Sequence, residues 1–193
     1  MIPAYFTNVV AAGAEVSIIA EPRQVIVDCR GCEIHDEHLV DIARDPDLRW
    51  LSLCGCSVTN AGVSKLSGSR RLEYLDLDST RVDGSILRIV PSLPSLEGID
   101  LTSIQQIKLG IEFLMDHPTL GGIDFSFSDV TPRALRRLLV HSRVENVDVT
   151  GTGIIASDLA DLDDIDAEPY RTVSIILSDS ERLAIVMELR DSS

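Results

Sequence analysis

The sequence predicts an α/β solenoid: a curved, right-handed parallel β-sheet inside and short helices outside, in about six repeats with a cap at each end. Three observations predict it. Leu48, Leu72, Leu96 and Leu120 recur at a spacing of 24, and Val144 is the next step. Blocks of 24 written from Gln24 then give four columns, six deep, in which every residue is apolar if Cys29 is counted. These are Val27, Leu51, Leu75, Ile99, Ile123, Val147; Cys29, Leu53, Leu77, Leu101, Phe125, Val149; Leu39, Val63, Leu87, Ile111, Leu135, Leu159; and Ile42, Leu66, Val90, Leu114, Leu138, Leu162. Within each block the apolar period changes. An opening stretch alternates as a strand does, and a later apolar pair three residues apart suits a helical turn.

The elements follow in order. Residues 1–23 lack the pattern but carry Val16, Ile18 and Ile19, and are expected to form an N-terminal cap over the first block. Blocks starting at Gln24, Leu48, Leu72, Leu96, Leu120 and Val144 fill residues 24–167, each predicting one strand and one outer helix. Pro46, Pro94 and Pro118 stand just before the next block, where a proline stops a helix. The fourth block departs from the pattern: Ile104 and Gln106 replace the expected small and apolar residues, so "SIQQIKLG" is expected to bulge. Beyond Glu168 the apolar match improves after a two-residue slip that puts Tyr170, Val173 and Ile175 in the strand columns. Residues 168–193 therefore read as a closing strand, "RTVSIIL", and a C-terminal cap helix, "SDSERLAIVMELR", with Ser178 and Glu181 at capping-box spacing. The 193 residues form one domain on this reading.

Composition limits the function. At 45% hydrophobic the chain buries a sizeable core, and its net charge of −14 with a pI of about 4.5 excludes a nucleic-acid footprint and disfavours anionic membrane surfaces. A basic protein partner is allowed. No apolar run approaches the roughly 20 residues of a membrane span. The opening "MIPAYFTNVVAAGAEV" has no Lys or Arg before Arg23, so it lacks the positive start of a signal peptide, and a cytoplasmic location is expected. Four cysteines in a chain this long do not make a disulfide scaffold.

The stretches "LRWLSLCGCSVTNAGV" and "LEYLDLDSTRV" carry an LxxLxL pattern, then a small polar or thiol residue, then an apolar one. This resembles the leucine-rich repeat family, in its short bacterial and cysteine-containing forms, across residues 24–167. The resemblance implies a protein-binding solenoid. It also implies that the column of Cys32, Cys56, Thr80, Ser128 and Thr152 bonds the backbone of a neighbouring turn.

"CRGCEIHDEH" invites a metal reading, because Cys29, Cys32, His35 and His38 fall at a strict spacing of three. Four tetrahedral ligands must meet at one point, and zinc fingers have a longer loop between their pairs. The block register instead gives Cys29 and Cys32 inward structural positions, so a metal-binding module is the lesser alternative. A redox pair needs a thiolate exposed at a helix start, which a mid-strand Cys29 does not supply. Cys54, whose slot opens on the inner face, is the thiol expected to be reactive.

The residues between the core leucines should line the concave surface in three columns. The first is Ile26, Trp50, Tyr74, Gly98, Gly122, Asn146; the second Asp28, Ser52, Asp76, Asp100, Asp124, Asp148; the third Arg30, Cys54, Asp78, Thr102, Ser126, Thr150. Stacked carboxylates about 4.8 Å apart should raise some of one another's pKa values. Trp50 and Tyr74 should be neighbours, with room beside them at Gly98 and Gly122. The candidate partner-binding set is Trp50, Tyr74, Asp76, Asp78, Asp100, Asp124 and Asp148, facing a basic protein as adaptor or inhibitor. The alternative for the aspartates is repeat consensus serving the strand ends.

Other surfaces compete. Arg133, Arg136, Arg137, His141 and Arg143 would form a basic cluster on an outer helix, suited to a non-catalytic subunit that docks by its convex side, or would pair with the next block's acids. Asp158, Asp161, Asp163, Asp164, Asp166 and Glu168 form an acidic run: a solvated loop, a docking patch, or a weak Ca²⁺ site without the EF-hand order of ligands. No supported nucleophile, acid–base pair or phosphate loop is evident, and "GTG" at 151–153 lacks a Gly-rich fingerprint. The expectation is a non-enzyme with no cofactor.

Overall fold

The structure, a computed structural model, describes residues 1–162, 170–177 and 184–190. Among the described residues, nine strands lie in one open sheet in sequence order: β1 (Glu15–Ile19), β2 (Gln24–Asp28), β3 (Leu48–Ser52), β4 (Tyr74–Asp76), β5 (Gly98–Asp100), β6 (Gly122–Asp124), β7 (Asn146–Asp148), β8 (Tyr170–Ile176) and β9 (Ala184–Arg190). From β2 to β8 every pairing is parallel, while β1 and β9 pair antiparallel at the two ends. The fold is thus mixed α/β, with a mostly parallel sheet.

The 24-residue spacing is the sheet register. Leu51 pairs with Leu75, then Ile99, Ile123 and Val147, and the neighbouring positions keep step. Parallel strands need a long crossover, and each block supplies one. The crossovers hold short helices: α1 (Thr7–Ala11) precedes β1, and α2 (His38–Ile42), α3 (Asn60–Val63) and α4 (Pro132–His141) follow β2, β3 and β6. Elsewhere the helical turns are 3₁₀, as at Gly84–Ser92 and Ile111–Leu114. Among the described helices only α4 reaches 10 residues. Thr131 caps it by accepting from the Ala134 N–H (3.3 Å), Pro132 opens its first turn, and Leu135, Leu138 and Leu139 bury one face. The described members of the four apolar columns are all buried, from Cys29 through Leu101 to Leu159.

Residues 1–23 pack against the first block. Phe6, Val9 and Ala14 are buried, and β1 pairs with β2. Asp45, whose side chain is wholly buried, ties this segment down. It accepts from Tyr5 Oη (2.6 Å), from both terminal nitrogens of Arg23 (2.6 Å each) and from the Asp47 N–H (2.9 Å).

The far end corrects two expectations. Residues 184–190 are a strand, not a helix, and pair with β8 over seven positions. "AIVMELR" includes β-branched Ile185 and Val186, and antiparallel pairing satisfies the backbone edge that β8 would otherwise leave open. The capping-box residues Ser178 and Glu181 lie outside the described residues. The last register also slips by four residues rather than two, since Val147 pairs with Ile175, 28 positions on. The closing strand itself forms over Tyr170–Ile176. In the fourth block, Ile104 is buried and Gln106 adopts a left-handed φ of 62°. Asp129 holds this irregular segment by accepting the N–H groups of Gln106 (2.8 Å) and Ile107 (2.9 Å).

One turn repeats with a strained member. Gly31, Gly55, Ser79, Ser103, Phe127 and Gly151, each 24 residues from the last, have φ of 67°, 72°, 54°, 65°, 57° and 72°. A bulky residue is costly in this left-handed region, where Gly and Asn sit more easily. Phe127 is also 57% exposed, with its ring over Gly151. Phe127→Asn is therefore expected to leave the melting temperature unchanged or raise it, although an aromatic ring is lost. A loss of more than about 1 kcal/mol would show that the ring's cover of Gly151 outweighs the backbone cost.

No helix among the described residues is long and apolar enough to cross a membrane.

Candidate functional site

Strand alternation turns one set of side chains into the core and the other onto the open face of the sheet. On that face Trp50 and Tyr74 are register partners, and their rings stack with centroids 5.7 Å apart and planes 9° apart. Tyr74 pairs in turn with Gly98, and Gly98 with Gly122. A Cβ on Gly98 would lie 2.9 Å from Tyr74 Cδ2, so the tyrosine ring leans over this glycine and uses the room expected there. Gly122 stays open, its nearest neighbour being the Glu97 carbonyl oxygen at 4.0 Å from an added Cβ. The aromatic pair divides the face. On the Trp50 side a depression of ≈440 Å³ is lined by Glu15, Ser17, Ile26 and Glu73 among others. On the Tyr74 side one of ≈290 Å³ runs over Gly98 and Gly122 to Asp124, Asp148 and Ile176.

Ser52, Asp76, Asp100, Asp124 and Asp148 stand in one register line. Each aspartate uses Oδ1 to accept the N–H two residues on: Asp78 at 3.0 Å, and Thr102, Ser126 and Thr150 at 2.8 Å. This turn at the strand end is why aspartate recurs. It occupies only one carboxylate oxygen. Asp76 spends the other on Ser52, whose Oγ donates at 2.5 Å, and is just 8% exposed. Asp100, Asp124 and Asp148 are half-buried; the Thr102 side chain also hydrogen-bonds Asp100, and among the described residues no donor meets Oδ2 of Asp124 or Asp148. Among the described side chains, Arg30 is paired with Asp28 (2.6 Å) and Arg49 with Glu73. Asp78 is half-buried, near Cys54 and Ser79.

Burial raises the Asp100 carboxyl to about 6; the charges of Asp124 and Asp76 add to this, against the opposing hydrogen bonds from Thr102. Burial, then the charges of Asp100, Asp76 and Asp124, push the Tyr74 hydroxyl up to about 12. A carboxyl raised on folding favours the fold at pH below its unfolded value near 4 and loses that contribution as pH rises through 6. Asp100→Asn keeps a carbonyl acceptor for the Thr102 N–H and removes the charge. It is expected to stabilise the protein at pH 7 by about 1 kcal/mol, discounted for the residue's partial exposure, with the gain vanishing near pH 4. Urea titrations at the two pH values measure it, and a pH-independent difference would contradict the assignment.

The cysteines divide. Cys29 is fully buried and Cys56 Sγ lies 3.0 Å from the Cys29 carbonyl, the expected bond to a neighbouring turn. Thr80 and Thr152 bond within their own turns, to the carbonyls of Leu77 and Val149 (2.7 Å each). Cys32 is only half-buried and lies 3.7 Å from its own Arg30 carbonyl, because no preceding parallel block receives it. The expectation of a reactive Cys54 is corrected. Burial and then the bond to Asp78 (3.4 Å) push its thiol up to about 11, away from the thiolate a nucleophile needs. His35 and His38 lie outside the core with ring centroids 6.2 Å apart, and His38 Nδ1 accepts the His35 N–H (3.1 Å). Among the described residues, no three His, Cys, Asp or Glu side chains are grouped to hold a metal ion.

On the helical side, Arg133 and Arg137 are exposed on α4, and His141 and Arg143 are exposed at its end. Asp158 is half-buried and accepts the Ile155 N–H (3.0 Å), while Asp163, Asp164, Asp166 and Glu168 lie outside the described residues. The Ser52–Asp76 pair was not foreseen, although their shared column was its signal. No protein-family model matches the chain, and no curated protein matches it.

Proposed function

We propose that this chain is a leucine-rich-repeat solenoid that binds a basic protein partner through the open, concave face of its sheet, as an adaptor or an inhibitor in the cytoplasm. The observation that carries the reading is the line Asp100–Asp124–Asp148. Each carboxylate gives one oxygen to its own strand end, and the other oxygen of Asp124 and of Asp148 meets no donor among the described residues, on the face that carries the stacked Trp50 and Tyr74. Repeat consensus explains the first oxygen. It does not explain why, among the described residues, no arginine or lysine pairs with the line, nor why two aromatic rings stack beside it. Aromatic anchors with uncompensated charge suit association with a cationic partner and speed its encounter. Because Asp76 is committed to Ser52, the binding charge falls to Asp78, Asp100, Asp124 and Asp148.

The test is capture of binding proteins from lysate by wild type and by a folded variant carrying Trp50→Ala, Asp100→Asn, Asp124→Asn and Asp148→Asn. A basic protein held by wild type in low salt, and lost with the variant, is the expected result. A partner retained equally by both would move the site to the α4 surface, where Arg133 and Arg137 are the residues to change next.

A further inference from the structure

The Tyr74-side depression has a shape and a charge that together define one occupant. Its floor is open backbone at Gly122, between Gly98, which the Tyr74 ring overlies, and Asn146 and Ser174. One wall is the Tyr74 ring, held by Trp50 on its other side at 5.7 Å. Asp124 and Asp148 stand along its rim, and Ile176 closes the far end, 37% exposed. The open backbone at Gly122 leaves room for an incoming side chain. An aromatic wall favours a flat or cationic one. The Asp124 and Asp148 carboxylate oxygens that meet no donor among the described residues suit a positive group that donates hydrogen bonds.

We infer that this depression receives an arginine side chain of the basic partner, with the guanidinium against the Tyr74 ring and donating to the Asp124 and Asp148 carboxylates. The inference rests on the proposed function above and narrows it from basic to arginine-bearing. Lysine fits less well: its ammonium is a compact, strongly hydrated point charge that neither stacks as a plane nor bridges carboxylates with a rigid fork. The aliphatic stem lies over Gly122 towards Asn146, with Ile176 beside Asp148 flanking it.

The experiment titrates the full chain with two synthetic peptides of equal length and charge, one arginine-rich and one lysine-rich, by calorimetry at low and moderate salt. The arginine peptide is expected to bind at least tenfold more tightly, and to shift the amide resonances of Gly98 and Gly122. Gly122→Val, whose Cβ meets nothing closer than 4.0 Å, fills the slot without altering charge and should reduce the arginine peptide to the affinity of the lysine peptide. Equal affinities for the two peptides would overturn the arginine slot while leaving the acidic face intact as a binding surface. Binding of neither, or binding unchanged by Asp124→Asn with Asp148→Asn, would overturn both. The peptide comparison on unaltered protein stands even if Gly122→Val fails to fold.

Discussion

Leu101→Ala is expected to destabilise the protein by about 2–5 kcal/mol, read as a lower urea midpoint. Leu101 is fully buried in the column that runs from Cys29 to Val149, and its backbone N–H donates to the Asp124 carbonyl of the next strand at 2.8 Å. Removing its three terminal carbons opens a cavity between blocks that the register prevents from collapsing, because the flanking strands are pinned by main-chain bonds on both sides. Glu112→Ala, on an exposed position of the same block, should change stability by less than about 0.5 kcal/mol. Equal effects at the two positions would contradict the assignment of faces.

Asp45→Ala is the second large effect, expected at about 2–4 kcal/mol. The substitution leaves the Asp47 N–H and Tyr5 hydroxyl without their acceptor and strips Arg23 of its buried partner, although Asp47 still receives one Arg23 nitrogen at 2.6 Å. Residues 1–23 should loosen first, which amide hydrogen exchange of β1 would report. Burial pushes the Asp45 carboxyl up, but the hydrogen bonds from Arg23, Tyr5 and the Asp47 N–H outweigh it and hold the group at about 2. A carboxyl lowered on folding contributes stability that is complete above its unfolded value near 4, and that contribution is lost as pH falls through 2. The wild type should therefore lose stability across that window, and Asp45→Ala should show a shallower dependence there.

The strands were legible because a fixed period forces register. Once Leu51, Leu75, Ile99, Ile123 and Val147 share a column, parallel pairing sets Trp50 beside Tyr74 and Asp100 beside Asp124. The ends were less legible. "LAIVMELR" suits a helix by apolar spacing, and only the open edge of β8 makes it a strand, a tertiary demand that a local pattern does not carry. The four-residue slip before Ile175 was hidden because Val173 and Ile175 are both apolar, so either satisfies a hydrophobic column. Within the candidate site the columns gave neighbours but not commitments. Asp76 and Asp124 read alike in sequence, yet Asp76 faces Ser52 and is buried against it, whereas Asp124 lies beside Asp100 and Asp148 and keeps an oxygen free of any donor among the described residues. Phe127 carried a signal of another kind, a bulky residue where its column holds glycine and serine, visible only when the turn's φ values are lined up.

Trp50 is the chain's single tryptophan and stands at the β3 end of the proposed binding face, stacked on Tyr74, so its emission reports on that face. On addition of a captured basic partner, Trp50 fluorescence is expected to change, to saturate with binding, to respond less in added salt, and to stay constant with Asp100→Asn, Asp124→Asn and Asp148→Asn together. A partner that binds by calorimetry while Trp50 emission stays constant, and whose binding fails when Arg133 and Arg137 are changed, would contradict that expectation and place the interface on the helices.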